Sequence, residues 1–184
     1  MKVRKARNIT QRVSSVTNGF VQAILPDTVP DEGELASILE ILEIKADNLS
    51  CAYCGGPHNH WDHLNLFVRK KRPSGYINEA RNLVPACGPC NTSKSGKPWR
   101  EWMLGDAKGS PKTRQVGDLA IRVQRLESLA EHTGLQPLDL ESLVDSGLWK
   151  AYWERLDEIE RLLFAAQKDA EAIRHQLATA LLQS

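Results

Sequence analysis

Four cysteines stand in two short pairs, Cys51-Ala-Tyr-Cys54 and Cys87-Gly-Pro-Cys90, and the chain has no others. Two thiolates separated by two residues hold one metal ion from a single tight turn, and two such turns complete the tetrahedral set that zinc prefers. Gly55 and Gly56 after the first pair, with Gly88 and Pro89 inside the second, supply the turns that such knuckles require. Two disulfides are the competing use of the same residues. The amino terminus, MKVRKARNIT, is basic with no apolar run behind it, so it does not read as a secretory leader. The expectation is a cytoplasmic, reducing setting, where thiols bind metal instead. No βαβ pattern surrounds either pair, which argues against a thioredoxin-like redox role. A zinc site closed by four thiolates folds a domain rather than performing chemistry, so catalysis has to be sought elsewhere.

The interval between the knuckles holds Trp61-Asp62-His63-Leu64 and Asn82-Leu83-Val84-Pro85-Ala86, and Asn91-Thr92-Ser93-Lys94 follows Cys90. Taken with both knuckles, this order resembles the HNH endonucleases, also called the ββα-metal or His-Me finger family, over residues 51–102. The resemblance implies a small core in which Asp-His ends one strand, Asn-Leu-Val lies near a second, and the last motif residue begins a helix. It implies that His63 is the general base taking a proton from the attacking water. An imidazole suits that task because its unperturbed pKa of about 6.5 leaves it largely neutral near pH 7. It implies that Asp62 and Asn91 hold one catalytic divalent cation, Mg2+ or Mn2+, as hard oxygen ligands. Such an ion polarises the phosphate and stabilises the departing alkoxide. Asn82 matches the middle residue of the motif, whose amide fixes the loop bearing the histidine, and Lys94 is expected to help neutralise the phosphate. The chain departs from the family name at Asn91, where a second His is implied; an amide oxygen also ligates a hard cation, though it weakens the case for a softer metal. It departs again in FVRKKRPSG, which stands where a Pro- and Gly-rich turn often follows Asp-His.

That second departure carries Arg69, Lys70, Lys71 and Arg72, which read either as a phosphate-binding hairpin tip or as a solvated basic loop. With Lys94, Lys97 and Arg100 they are the candidate nucleic-acid contacts. Residues 51–104 carry eight basic and three acidic side chains and residues 1–12 carry five and none, whereas both remaining segments are acidic on balance. The overall charge of +1 therefore conceals local fields of the kind that grip phosphates. His58 and His60 are expected at the surface, since four cysteines already fill the zinc set, and His132 and His175 fall in helical segments outside the motif. Trp99 and Trp102, three apart on a helix starting at Pro98, are expected to cover the zinc module as core rather than to stack on bases. Trp149 and Trp153 read as packing anchors.

The elements that must position these residues follow from periodicity. A short helix is expected around Val16 to Ile24, and a better one from Pro30 through Leu35, Ile38, Leu39, Leu42 and Ile44. GDAKGSPKTR reads as a linker. From about Leu148 to Leu182 the positions Trp149, Tyr152, Leu156, Ile159, Leu163, Ala166, Ala170, Ile173, Leu177 and Ala180 alternate spacings of three and four, the a/d seam of a coiled coil. That helix has two candidate partners: a second copy of itself, giving a homodimer, or the helix near Leu119 to Leu129. The expected class is α+β and mostly helical, with a zinc-bound HNH core at 51–104 between a basic arm with N-terminal helices at 1–50 and a helical region at 105–184. Apolar residues make up 41% of the chain and no run reaches the roughly 20 that span a membrane. The function expected from this set is metal-dependent hydrolysis of phosphodiester bonds in nucleic acid, with double-stranded DNA as partner and a restriction or other defence role. The alternative is a zinc-knuckle module that binds nucleic acid without cutting it; a zinc-stabilised adaptor acting through its long helix would need neither the motif nor the basic clusters.

Overall fold

The computed structural model describes residues 7–26, 28 and 31–182. Lys2, Arg4 and Lys5 of the expected basic arm, and Pro30, lie outside them. The described residues form an α+β, mostly helical protein. Its helices are α1 (Val13–Ile24), α2 (Glu32–Ile41), α3 (Gly88–Lys94), α4 (Trp99–Leu104), α5 (Leu119–Thr133) and α6 (Ser146–Leu182); its strands are β1 (His60–His63), β2 (Val68–Arg69), β3 (Arg72–Pro73) and β4 (Leu83–Ala86). Asp31 caps α2 by accepting a 2.7 Å hydrogen bond from the Gly33 amide, and Glu32 and Glu34 add negative charge where the helix dipole favours it. The helix ends at Ile41, earlier than the apolar period predicts, because the chain turns through Glu43 at a φ of 52°. Ile44 is nonetheless buried, so the apolar pattern reports burial beyond the helix end.

Two compact units divide the chain. In the unit Ile24–Leu138, β1 and β4 pair antiparallel in the register His60↔Ala86, Trp61↔Pro85, Asp62↔Val84 and His63↔Leu83. Helix α3 starts directly after β4 and packs against β1. A two-stranded ribbon has too few side chains to make a core, and it is covered by Ile38 and Leu39 of α2 with Leu42 just after it, Trp102 and Met103 of α4, and Val123, Leu126 and Leu129 of α5. One core thus draws on all three segments expected at 1–50, 51–104 and 105–184. A second ribbon pairs Val68 with Pro73 and Arg69 with Arg72. Lys70 and Lys71 form its two-residue turn at φ of 51° and 64°, the left-handed pair that matches the twist of a tight hairpin.

The second unit comprises the described parts of Met1–Ala23 and Asp139–Ser184. Here α1 packs on the first half of α6. Phe20 meets Tyr152 with ring centroids 5.0 Å apart, the Tyr152 hydroxyl donates to the Phe20 carbonyl at 2.9 Å, and Thr17 Oγ1 donates to the buried Glu160 at 3.2 Å. Beyond Gln167 the stripe is uncovered: Ile173 and Leu177 are 57% and 59% exposed in the single chain. Among the described residues no helix is long and apolar enough to cross a membrane.

Candidate metal centre and active site

The two knuckles converge. The Sγ atoms of Cys51, Cys54, Cys87 and Cys90 all lie within 4.8 Å of one another, and none is in a disulfide. Cys54 and Cys87 stand 3.7 Å apart. Zinc–sulfur bonds of about 2.3 Å in a tetrahedron place sulfurs about 3.8 Å apart, so these residues fit zinc. The bare thiols compete for one negative charge: hydrogen bonding between them holds Cys54 far below the usual thiol range and pushes Cys51 up to about 12. A dication removes that competition by stabilising all four as thiolates. Two arginines support the cluster from the chain beyond it. Arg114 donates to Cys90 Sγ at 3.4 Å, placing positive charge beside sulfurs that as thiolates carry more negative charge than one zinc cancels. Arg122 of α5 donates to the Cys51 carbonyl at 3.2 Å and is itself held by Asp118. Neither was legible as part of the centre, since Arg114 sits in the stretch that reads as a linker.

Asp62 and His63 close β1, at the other end of the ribbon from the Ala86 end that leads into Cys87. Asp62 is buried, and its Oδ2 accepts from the Tyr53 hydroxyl at 2.6 Å and pairs with Lys94 Nζ at 3.0 Å. Lys94 also donates to the His63 carbonyl at 2.7 Å. It is 1% exposed, which corrects the expectation that it neutralises a phosphate: the ammonium is turned inward and spent on the end of β1. Burial accordingly lowers its pKa, with Asp62 opposing that shift. Asn91 lies on α3 three residues before Lys94, so the two are neighbours along one face of the helix. Asn82 is 0% exposed; its Oδ1 accepts from the Asn65 amide at 2.7 Å and its Nδ2 donates to the Asn65 carbonyl at 3.1 Å. Both ends of its amide are used on the loop two residues beyond His63.

His63 is half-buried, with its ring centroid 3.8 Å from that of Phe67. Its Nε2 lies 3.0 Å from Asn78 Oδ1. With the Asn78 amide oxygen as the partner, which accepts only, the tautomer that makes this bond has its proton on Nε2 and its lone pair on Nδ1. Burial lowers the His63 pKa below its ordinary 6.5, partly offset by the Asn78 hydrogen bond and the nearby Asp62 carboxylate. The imidazole is therefore neutral at neutral pH, with one nitrogen able to take a proton. Asn78 carries no motif signature and escaped the sequence reading.

The candidate nucleic-acid contacts divide. Arg69, Lys70 and Lys71 are exposed on the β2–β3 hairpin, while Arg72 is half-buried and donates to the Lys71 carbonyl at 3.1 Å. Lys97 Nζ donates to the Ser93 carbonyl at 2.9 Å, capping the last turn of α3, and Arg100 is paired with Glu127 at 2.6 Å. A groove of about 810 Å³ opens beside the loop after His63, lined in part by Leu64, Arg69, Lys70, Tyr76, Trp99 and Arg100. His63, Asp62 and Asn91 do not line it, so it flanks the cluster rather than containing it. Trp102 is core, edge-on to Tyr53; Trp99 is only half-buried and also faces the groove. His58 stacks edge-on with Trp61 and is half-buried rather than at the surface as expected, and His60 is exposed and lies near Gly88; neither belongs to the thiol cluster.

No family model matches the chain. It is 23% identical over 129 residues to the CRISPR-associated endonuclease Cas9 of Corynebacterium diphtheriae, a similarity covering 67% of this chain. The chain spans only 11% of that relative's length. No solved structure matches. The chain is thus similar to part of a nuclease and carries a four-cysteine cluster that could bind zinc.

Proposed function

We propose that this chain is a metal-dependent endonuclease of the HNH type that hydrolyses phosphodiester bonds in DNA. The observation that carries the reading is the grip of α3 on the end of β1: Lys94 holds both the Asp62 carboxylate and the His63 carbonyl, with Asn91 on the same helix face. A zinc-folded ribbon and helix that present a carboxylate, a neutral imidazole and an amide together supply the parts that hydrolysis requires. The similarity to a nuclease supports the same reading. A restriction or other defence role, a cytoplasmic setting and a homodimeric assembly complete the proposal.

In this scheme His63 Nδ1 takes the proton of the attacking water, and the Asn78 contact holds the ring in the tautomer that leaves that nitrogen basic. Asn82 fixes the following loop so that the ring keeps its aim. Asp62, gripped on Oδ2, keeps Oδ1 for a hard cation, and Asn91 offers an amide oxygen to the same ion. Bound there, Mg2+ or Mn2+ would supply electrostatic stabilisation of the charge developing on the phosphate and the departing oxygen. The exposed tip of Arg69, Lys70 and Lys71 holds the backbone without reading bases.

The same hairpin supports a second reading, a zinc module that binds nucleic acid without cutting. Plasmid cleavage in Mg2+ or Mn2+, with and without EDTA, separates the two. The nuclease reading expects supercoiled DNA to be nicked or linearised by the wild type, protected by EDTA and untouched by His63→Ala. Binding with no cleavage of any DNA or RNA would select the module instead.

A further inference from the structure

Tyr53 stands between the two cysteines of the first knuckle, at a position where the metal itself asks for nothing. It is nonetheless completely buried, with its ring edge-on against Trp102 at 5.1 Å and 88°. A phenol so enclosed needs a partner for its hydroxyl, and the partner is Asp62 Oδ2 at 2.6 Å. Lys94 takes the same oxygen from the other side at 3.0 Å. Two donors on one carboxylate oxygen fix the rotation of the group, so the other oxygen, Oδ1, keeps one direction. The two donors have different origins. Lys94 belongs to α3, while Tyr53 belongs to the turn that the thiol cluster shapes, since Cys51 and Cys54 flank it and the Cys51 amide is bonded to the Gly56 carbonyl at 2.8 Å.

We propose that Tyr53 is a positioning residue through which the zinc knuckle sets the orientation of Asp62 and thereby the grip of the site on its divalent cation. This rests on the reading of Asp62 as a cation ligand. Groups that orient a metal ligand from behind typically govern affinity by 10- to 100-fold. The structural zinc and the catalytic ion are then linked by one side chain, Cys-flanked at its backbone and bonded to the ligand at its tip.

The test is a titration with Mn2+, followed by loss of the free-ion electron paramagnetic resonance signal, on the zinc-loaded full chain. Mn2+ does not compete for four thiolates, so the titration reports the second site. Wild type, Tyr53→Phe, Asp62→Asn and the double variant are compared, with bound zinc measured on each. Tyr53→Phe keeps the ring against Trp102 and removes only the hydroxyl. The expected result is full zinc occupancy, Mn2+ affinity lowered about tenfold in Tyr53→Phe, and no further loss when that change is added to Asp62→Asn. Equal Mn2+ affinity in wild type and Tyr53→Phe overturns the proposal, as do additive losses in the double variant. Loss of zinc or of folding in Tyr53→Phe also overturns it, by placing the hydroxyl in the fold rather than in the site. If the wild type binds no Mn2+ and Asp62→Asn changes nothing, the cation-site reading fails and takes the proposal with it, an outcome distinct from a defect confined to Tyr53.

Discussion

In the proposed role of general base, His63 would meet two opposing demands, since such a base must be neutral at working pH yet still bind a proton in the transition state. Burial is the larger influence and lowers its pKa, while the Asn78 bond and the Asp62 charge limit the fall. The sign for activity follows: the basic form is lost only as pH drops through a value below 6.5. The acid limb of the kcat/KM profile for cleavage should therefore lie below pH 6.5, with little change from there to neutrality; a limb centred above 7 would contradict the assignment. Asp62, His63, Asn82 and Asn91 were singled out by motif order and the resemblance it carries, and their roles remain the proposal made above. Lys94 was legible as a motif residue, but its burial and its bonds to Asp62 and the His63 carbonyl were not. Tyr53, Asn78 and Arg114 carry no motif, and only the folded chain brings them to the residues they serve.

At the scale of elements, the zinc knuckles replace what a short ribbon cannot supply. Among the described residues β1 and β4 are short and form a two-stranded sheet, flanked by the cluster that brings Cys51 and Cys54 to Cys87 and Cys90. Cys87→Ser should release the zinc and abolish the cooperative melt of the unit Ile24–Leu138, because binding energy of about 10 kcal/mol or more at a structural zinc site is folding energy. Calorimetry with metal analysis on the variant checks this; a zinc-free chain that melts like the wild type would show that the thiols are not needed. Knuckles and long helices were legible because ligand spacing and helical period are local. The β2–β3 hairpin was only half legible, since Lys70 and Lys71 adopt a turn that Asn and Gly usually signal. The early end of α2 was hidden because Ile44 continues the apolar pattern beyond the turn at Glu43.

Over the whole molecule, the core of the unit Ile24–Leu138 is assembled from segments far apart in sequence. Local patterns cannot reveal that α2 and α5 share one core with the ribbon. The period of α6 likewise showed a stripe but not its occupant. Within its own unit α1 takes the first half, leaving Ile173 and Leu177 exposed. If a second copy covers them, light scattering should find a dimer that Ile173→Asp with Leu177→Asp converts to a monomer; a monomeric wild type would remove dimerisation from the proposal. The claim on which the rest depends is that His63 supplies the base for phosphodiester hydrolysis, and chemical rescue tests it most directly. Cleavage by His63→Gly should fall by at least about a hundredfold, the low end of what a general base contributes, and should recover in part when imidazole is added with Mg2+. A His63→Gly protein that cuts at the wild-type rate without imidazole would contradict the account.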